Sequence, residues 1–113
     1  MSVSYFIRYD VNVRDVGEFI EFYRTKHVPV LARWPGLRRV VLHTPIEWSD
    51  TWPVNRGRAV LLAQLEFDSA EALQAAFASP ERAAARADAA NFPPYEGVVT
   101  HQALQSAEAW RKA

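Results

Sequence analysis

Residues 59–67, with the sequence AVLLAQLEF, constrain the fold more than any other segment. A short run of this kind, with alternating large apolar residues, predicts a β-strand. Successive side chains of a strand point to opposite faces of the sheet, so Leu61 and Phe67 lie on one face while Val60 and Leu62 lie on the other. Both faces are apolar, and a sheet built from such strands needs a cover on each side.

The other segments give the order strand, helix, strand, strand, helix, strand. The patterns predict further strands at 3–9, 37–43 and 98–104. Apolar residues at helical spacing predict one helix over 16–34, capped by Asp15. A second helical region, 68–91, starts with a capping-box pattern. Together these elements predict an α+β chain with a ferredoxin-like antiparallel sheet and both helices on one face.

The helices cover only one face of the predicted sheet, so the other apolar face lacks a cover. A second copy of the chain is the expected cover, which predicts a homodimer packed through the open sheet face with two-fold symmetry. The length of 113 residues suits one domain spanning residues 1–113. The C-terminal segment 107–113 is predicted to form a short helix.

Composition excludes several functional classes. Basic and acidic residues number 13 each, which argues against nucleic acid as a partner. The absence of cysteine excludes disulfides and thiolate catalysis. No apolar run is long enough to span a membrane, and the N-terminus lacks a secretory pattern, so a cytoplasmic protein is expected. Four glycines form no phosphate-binding loop, and no cofactor is expected.

His27 is the main candidate for chemistry. It falls in the middle of the apolar stripe of the first helix, where burial favours a neutral imidazole able to accept a proton. Pro29 follows two residues later, and it removes the backbone donor for the carbonyl of Thr25. The resulting kink is expected to open a pocket beside His27, between helix and sheet. The alternative is a core histidine bonded to a backbone carbonyl.

Tyr23 lies one turn before His27 and shares its face. It is a second candidate catalytic residue, which would orient a substrate oxygen or hold the imidazole, although a core aromatic residue explains it equally simply. Phe19 is interpreted as either a pocket wall or plain core. Trp34 is interpreted as a pocket wall for a flat or apolar ligand, and Trp48 and Trp52 as either pocket or interface residues.

The remaining histidines lie on predicted strands. His43 and His101 are candidate pocket residues if they face the same cavity, and exposed strand residues otherwise. Three histidines without a carboxylate at ligand spacing do not predict a metal site. Asp88 is interpreted as a charge on a helix surface, with a pairing to an Arg or to a substrate hydroxyl as the alternative.

Two segments resemble a known family. The sequence FYRTKHVPVLARWPGL, residues 22–37, is similar to that of EthD-like proteins, in which a Tyr precedes His-x-Pro and Pro-Gly closes the helix. The sequence FASPERAAARADAANF, residues 77–92, resembles the second helical region of the same family. The resemblance extends over residues 3–104 and implies a dimeric α+β barrel. That wider group includes cofactor-free isomerases, decarboxylases, polyketide cyclases and monooxygenases, and also haem-degrading enzymes.

Three functions compete at this point. The first is a cofactor-free isomerase, cyclase or decarboxylase in which His27 transfers a proton on a small lactone, phenol or polyketide-like acid. The second is a non-catalytic protein that binds a small apolar or aromatic ligand for a partner oxidoreductase, as the resemblance to ether-degradation proteins suggests. The third is a haem protein with a histidine as axial ligand.

Overall fold

The computed structural model describes residues 2–113. Its strands are β1 (Ser2–Val13), β2 (Arg39–His43), β3 (Leu61–Phe67) and β4 (Tyr95–Ser106). Helices α1 (Val16–Phe22) and α2 (Val28–Leu31) flank a π-helical turn (Tyr23–His27). Helices α3 (Ala70–Phe77) and α4 (Pro80–Asp88) lead into a 3₁₀ turn (Ala89–Asn91).

The strands form one antiparallel sheet in the order β2-β3-β1-β4. Tyr5 of β1 lies opposite Leu65 of β3 on one side and Ala103 of β4 on the other. This arrangement confirms the predicted ferredoxin-like α+β fold. Strands β1 and β4 are longer than predicted because they pair with each other along their whole length, which is a tertiary contact.

The core lies between the sheet and the helices. The residues Leu61, Ala63, Leu65 and Phe67 of β3 are all fully buried on the helical face, as the alternating pattern predicted. The core also contains alternate residues of β1 and the inward residues of α1 and α3, namely Tyr5, Ile7, Tyr9, Val11, Phe19, Leu73 and Ala76. One face of the sheet is therefore covered within the chain.

The helix starts follow the capping rules. The Asp15 side chain accepts a hydrogen bond from the backbone N–H of Glu18 at 3.0 Å, as predicted. Ser69, one residue later than the capping-box pattern indicated, accepts from the N–H of Ala72 at 3.1 Å and caps α3. The C-terminal segment 107–113 is not helical, so that prediction is wrong.

The helix that carries His27 changes geometry before Pro29. The N–H of Val28 bonds to the carbonyl of Tyr23, five residues back, so the segment is a π-helical turn. Pro29 has no N–H with which to continue α-helical pairing to Thr25, and it occupies the first turn of α2. A π-helical turn holds extra backbone, and such turns are frequent at functional sites. The predicted break therefore takes the form of a widened turn.

The second face of the sheet is open. Val98 and Leu104 of β4 lie on this face and are 63% and 45% exposed, and Phe6 of β1 is half-buried there. Trp48 and Trp52 are exposed on the connection between β2 and β3. Within residues 2–113, no helix has both the length and the apolar character needed to cross a membrane.

Candidate functional site

A cavity of about 520 Å³ opens between the sheet and α4. It lies within the range of about 300–1,000 Å³ that is usual for small-molecule sites. Its walls are mainly aromatic, and the rings are Tyr5, Tyr9, Trp34, Phe92 and Tyr95. Such walls suit a flat, largely apolar ligand.

His27 reaches the cavity from the π-helical turn and is paired with Asp88 at the end of α4. Nδ1 of His27 lies 2.8 Å from Oδ2 of Asp88, and the two side chains are 5% and 20% exposed. The other carboxylate oxygen of Asp88 accepts a hydrogen bond from Nδ2 of Asn91 at 3.0 Å. An ionised carboxylate only accepts hydrogen bonds, so Nδ1 of His27 carries a proton and Nε2 is the nitrogen left for chemistry.

The environment favours a neutral imidazole beside a charged carboxylate. Burial lowers the pKa of His27, and the hydrogen bond and charge of Asp88 oppose this effect without reversing it. The hydrogen bonds from His27 and Asn91 lower the pKa of Asp88. Near neutral pH the pair therefore consists of aspartate and neutral histidine, with a lone pair on Nε2.

Nε2 of His27 remains accessible. It makes no hydrogen bond to any side chain or backbone group in residues 2–113. Nε2 is not among the occluded side-chain polar atoms that lack a hydrogen bond in this range, so part of its surface stays exposed. His27 lines the cavity.

Two aromatic rings fix the orientation of the His27 imidazole. The ring of Phe92 meets it edge-on, with centroids 4.6 Å apart. The ring of Tyr23 packs against it with a centroid distance of 4.8 Å. Burial raises the pKa of Tyr23 well above its usual value and that of Tyr9 to about 12, so both phenols stay protonated. We call His27, Asp88 and the adjoining Tyr9 the His27 end of the cavity.

A second histidine lies further along the cavity. Nδ1 of His101 on β4 is hydrogen-bonded to the Tyr5 hydroxyl at 2.6 Å. The Arg82 guanidinium of α4 lies 4.1 Å from the centroid of the Phe77 ring, which itself packs against Tyr5. Burial first, and then the charges of Arg82 and Arg86, lower the pKa of His101. We call His101, Tyr5, Arg82 and Arg86 the His101 end.

Three of the residues predicted for the site line this cavity: His27, Trp34 and His101. His43 does not, because it lies on the opposite face of the sheet, where Nε2 is 2.9 Å from Oε1 of Gln64. Phe19 is a core residue, 1% exposed and packed on Tyr9. Both positions match alternatives that the sequence analysis left open, an exposed strand residue and a core residue, because a strand end and a helix stripe do not reveal which residues border empty space.

For Tyr23, the structure matches the core aromatic residue that the sequence analysis left open. It is 1% exposed, its hydroxyl is occluded, and it does not line the cavity. This position favours the core alternative over a role in orienting a ligand. The Tyr23 ring packs against the His27 imidazole.

Asp88 is the functional candidate that the sequence interpretation missed. The interpretation as a surface charge is wrong, because the carboxylate bonds to His27 across 61 positions of sequence. A signal was present in helical spacing: Asp88 follows the buried Ala85 by three residues and therefore shares its inward face. Arg82 precedes Ala85 by three residues and lines the cavity on the same side.

No group of three or more metal-binding side chains occurs in the part of the chain that the structure describes. The side chains of the cavity that can carry chemistry include the two histidines with their partners, the phenols and the guanidinium groups. A neutral imidazole with a fixed tautomer and a free Nε2 can accept a proton from a bound molecule.

Fold and cavity together define a ferredoxin-like α+β protein with an acid–base pair at one end of an aromatic pocket. The sequence model of the EthD domain matches residues 15–93, so the chain belongs to the EthD family. This confirms the resemblance read from residues 22–37 and 77–92. A protein from the thcB-thcC intergenic region of Rhodococcus erythropolis is 40% identical over 78 residues, covering 69% of this chain and 72% of that protein.

Solved structures show the same fold. An EthD-family protein from Bacillus halodurans superposes with a TM-score of 0.74 at 24% identity, covering 95% of this chain and all of that one. The monooxygenase from the gene ActVA-Orf6 of Streptomyces coelicolor, in complex with nanaomycin D, has a TM-score of 0.66 at 16% identity over 99% of this chain and 92% of that one. SnoaB, a cofactor-independent oxygenase from Streptomyces nogalater, has a TM-score of 0.61 at 15% identity over 98% of each chain.

One further structure bears on assembly. A protein of ferredoxin-like fold from Bacteroides fragilis, described as dimeric, has a TM-score of 0.58 at 14% identity over 93% of this chain and 96% of that one. Proteins of this fold therefore include small-molecule enzymes and dimers.

Proposed function

We propose that this protein is a cofactor-free acid–base catalyst acting on a small aromatic, lactone or polyketide-like compound. The observation that carries the proposal is the His27–Asp88 pair, held at 2.8 Å beside an aromatic cavity. The cofactor-independent oxygenase and the monooxygenase of the same fold support small-molecule chemistry in such a cavity.

In the proposed step, Nε2 of His27 takes a proton from an acidic C–H or O–H of the bound compound. The imidazole becomes a cation that keeps its Nδ1 hydrogen bond to Asp88, and the carboxylate stabilises that charge. The compound is left as an enolate or phenolate. Return of the proton to a different carbon completes an isomerisation, with no gain or loss of electrons and no cofactor.

The test measures proton abstraction directly, so it does not depend on knowing the natural product. The probe is 2-tetralone, a bicyclic ketone with an acidic C–H, and deuterium uptake from D₂O is followed by NMR. Removing the base in His27→Ala should reduce protein-catalysed exchange by about 10²- to 10⁴-fold. The matched control is His43→Ala, which removes the same side chain from the opposite face of the sheet and should exchange at the wild-type rate.

Two outcomes count against catalysis. Equal exchange by wild type and His27→Ala shows that the imidazole is not the base. Binding of 2-tetralone without any exchange by the wild type favours a ligand-binding role for the cavity in place of an enzymatic one.

We also propose that the protein is a homodimer joined through the open sheet face. Val98 and Leu104 leave large apolar surface exposed on this face, and a second copy would bury it. Sedimentation velocity should give a dimer at micromolar concentration, and the double variant Val98→Asp/Leu104→Asp should give a monomer. A wild-type monomer under these conditions contradicts the proposal.

A further inference from the structure

Charge is distributed unevenly along the cavity. Of the described residues that line it, two are arginines and none is a carboxylate, because Asp88 lies behind His27 and does not form part of the wall. The guanidinium groups of Arg82 and Arg86 form no ion pair with any carboxylate in residues 2–113. Arg38 and Arg39, on the other side of the molecule, are each paired with an acidic side chain.

Both arginines that line the cavity belong to the His101 end. Arg82 stacks on Phe77, which contacts Tyr5, and the charges of both arginines act on His101. Tyr5 and His101 supply polar groups already joined by a hydrogen bond. A positive charge without a carboxylate partner at the wall of an aromatic cavity favours an anionic ligand group, and guanidinium suits a carboxylate in particular.

The two ends are separated by roughly the length of a small polycyclic molecule. Helix α4 runs between them, and its six-residue span from Arg82 to Asp88 corresponds to about 9 Å of helix. On the sheet, Tyr5 and Tyr9 lie about 13 Å apart at the usual rise of a strand. Between them the walls are apolar or aromatic.

We propose that the ligand of this cavity is a planar aromatic carboxylate. Its carboxylate lies at Arg82 and Arg86, and its ring system extends toward His27 so that an acidic C–H or O–H faces Nε2. The inference deepens the proposed function and rests on it for the role of His27. It narrows the substrate class from aromatic, lactone or polyketide-like compounds in general to planar ring compounds that carry an acid group at one end.

The test compares two probes of the same ring shape, one anionic and one neutral. The first is 6-hydroxy-2-naphthoate, with a hydroxyl and a carboxylate at opposite ends of a rigid bicyclic ring, and the second is 6-hydroxy-2-naphthamide. Isothermal titration calorimetry should show the wild type binding the carboxylate about 10-fold or more tightly than the amide, as expected for a charge-assisted hydrogen bond. Added salt should weaken binding of the carboxylate and leave the amide almost unaffected.

The variants locate the anion site. In Arg82→Gln/Arg86→Gln the preference for the carboxylate should disappear while the amide binds as before. The control is Arg58→Gln, which removes the same charge from an exposed segment outside the cavity and should keep the preference. Equal binding of the two probes by the wild type, no binding of the carboxylate, or an unchanged preference in the double variant overturns the inference.

This test and that of the proposed function can fail separately. If the preference for the carboxylate depends on Arg82 and Arg86 but deuterium exchange does not depend on His27, the anion site is supported and the catalytic proposal is contradicted. If deuterium exchange depends on His27 but the protein shows no preference for the carboxylate, the catalytic proposal is supported and the anion site is contradicted.

Discussion

The cavity has a histidine at each end, and the two histidines differ in what surrounds them. His27 is almost fully buried and faces the carboxylate of Asp88, which opposes the effect of burial on its pKa. His101 is bonded to a neutral phenol and faces two guanidinium groups, which add to the effect of burial. A carboxylate partner prepares an imidazole to accept and hold a proton, whereas cationic neighbours make it a poor base and the end around it a binding site for anions.

The largest expected effect is the loss of stability when the His27–Asp88 pair is broken. Asp88→Asn removes a half-buried charge that accepts two hydrogen bonds, and it should lower the free energy of unfolding by about 1.5–3 kcal/mol. Urea denaturation measures this loss. Asp68→Asn is the control, because its ion pair with Arg38 is exposed and its loss should cost less than about 1 kcal/mol. A smaller loss for Asp88 than for Asp68 would contradict the importance given to the His27–Asp88 pair.

Acid should lower the stability of the protein through both members of the His27–Asp88 pair. The pKa of folded His27 lies below 6.5, so the unfolded chain takes up the proton more readily and stability falls as the pH drops below 6.5. The pKa of folded Asp88 lies below 3.8, so its contribution is present above that pH and is lost under stronger acid. In Asp88→Asn, the loss of stability caused by protonation of the Asp88 carboxylate should be absent.

A smaller cost is expected at the His101 end. Tyr5→Phe removes a neutral hydrogen bond whose histidine partner is exposed to solvent, and we expect a loss of about 0.5–1.5 kcal/mol in the free energy of unfolding. Urea denaturation measures this loss, and the substitution removes only the hydroxyl because the aromatic ring is kept. A loss as large as that of Asp88→Asn would show that the two ends are equally coupled to the fold.

The pKa values of His27 and His101 should move in opposite directions when each histidine loses a charged neighbour. Asp88→Asn removes the influence that raises the pKa of His27, so that pKa should fall further. Arg86→Gln removes an influence that lowers the pKa of His101, so that pKa should rise. NMR titration of the ring hydrogens follows both residues, and Arg58→Gln should move neither. Shifts of the same sign would contradict the electrostatic contrast between the two ends.

The sequence by itself determined the order of elements, the helix start at Asp15, and the buried face of β3. These features depend on local rules: side-chain alternation, helical spacing and capping act within a few residues. His27 was found for the same reason, because a titratable ring in an apolar stripe followed by Pro29 is visible in one short segment.

Tertiary structure alone decided what His27 contacts and which residues surround the cavity. Asp88 and Asn91 lie more than sixty positions away, and only the packing of α4 against α2 brings the carboxylate to Nδ1. The exclusion of His43 has a similar cause, because its strand presents it to the face opposite the helices. A short sequence pattern predicts which residues are buried. The contacts between distant segments depend on how the helices and the sheet pack, and those contacts define the site.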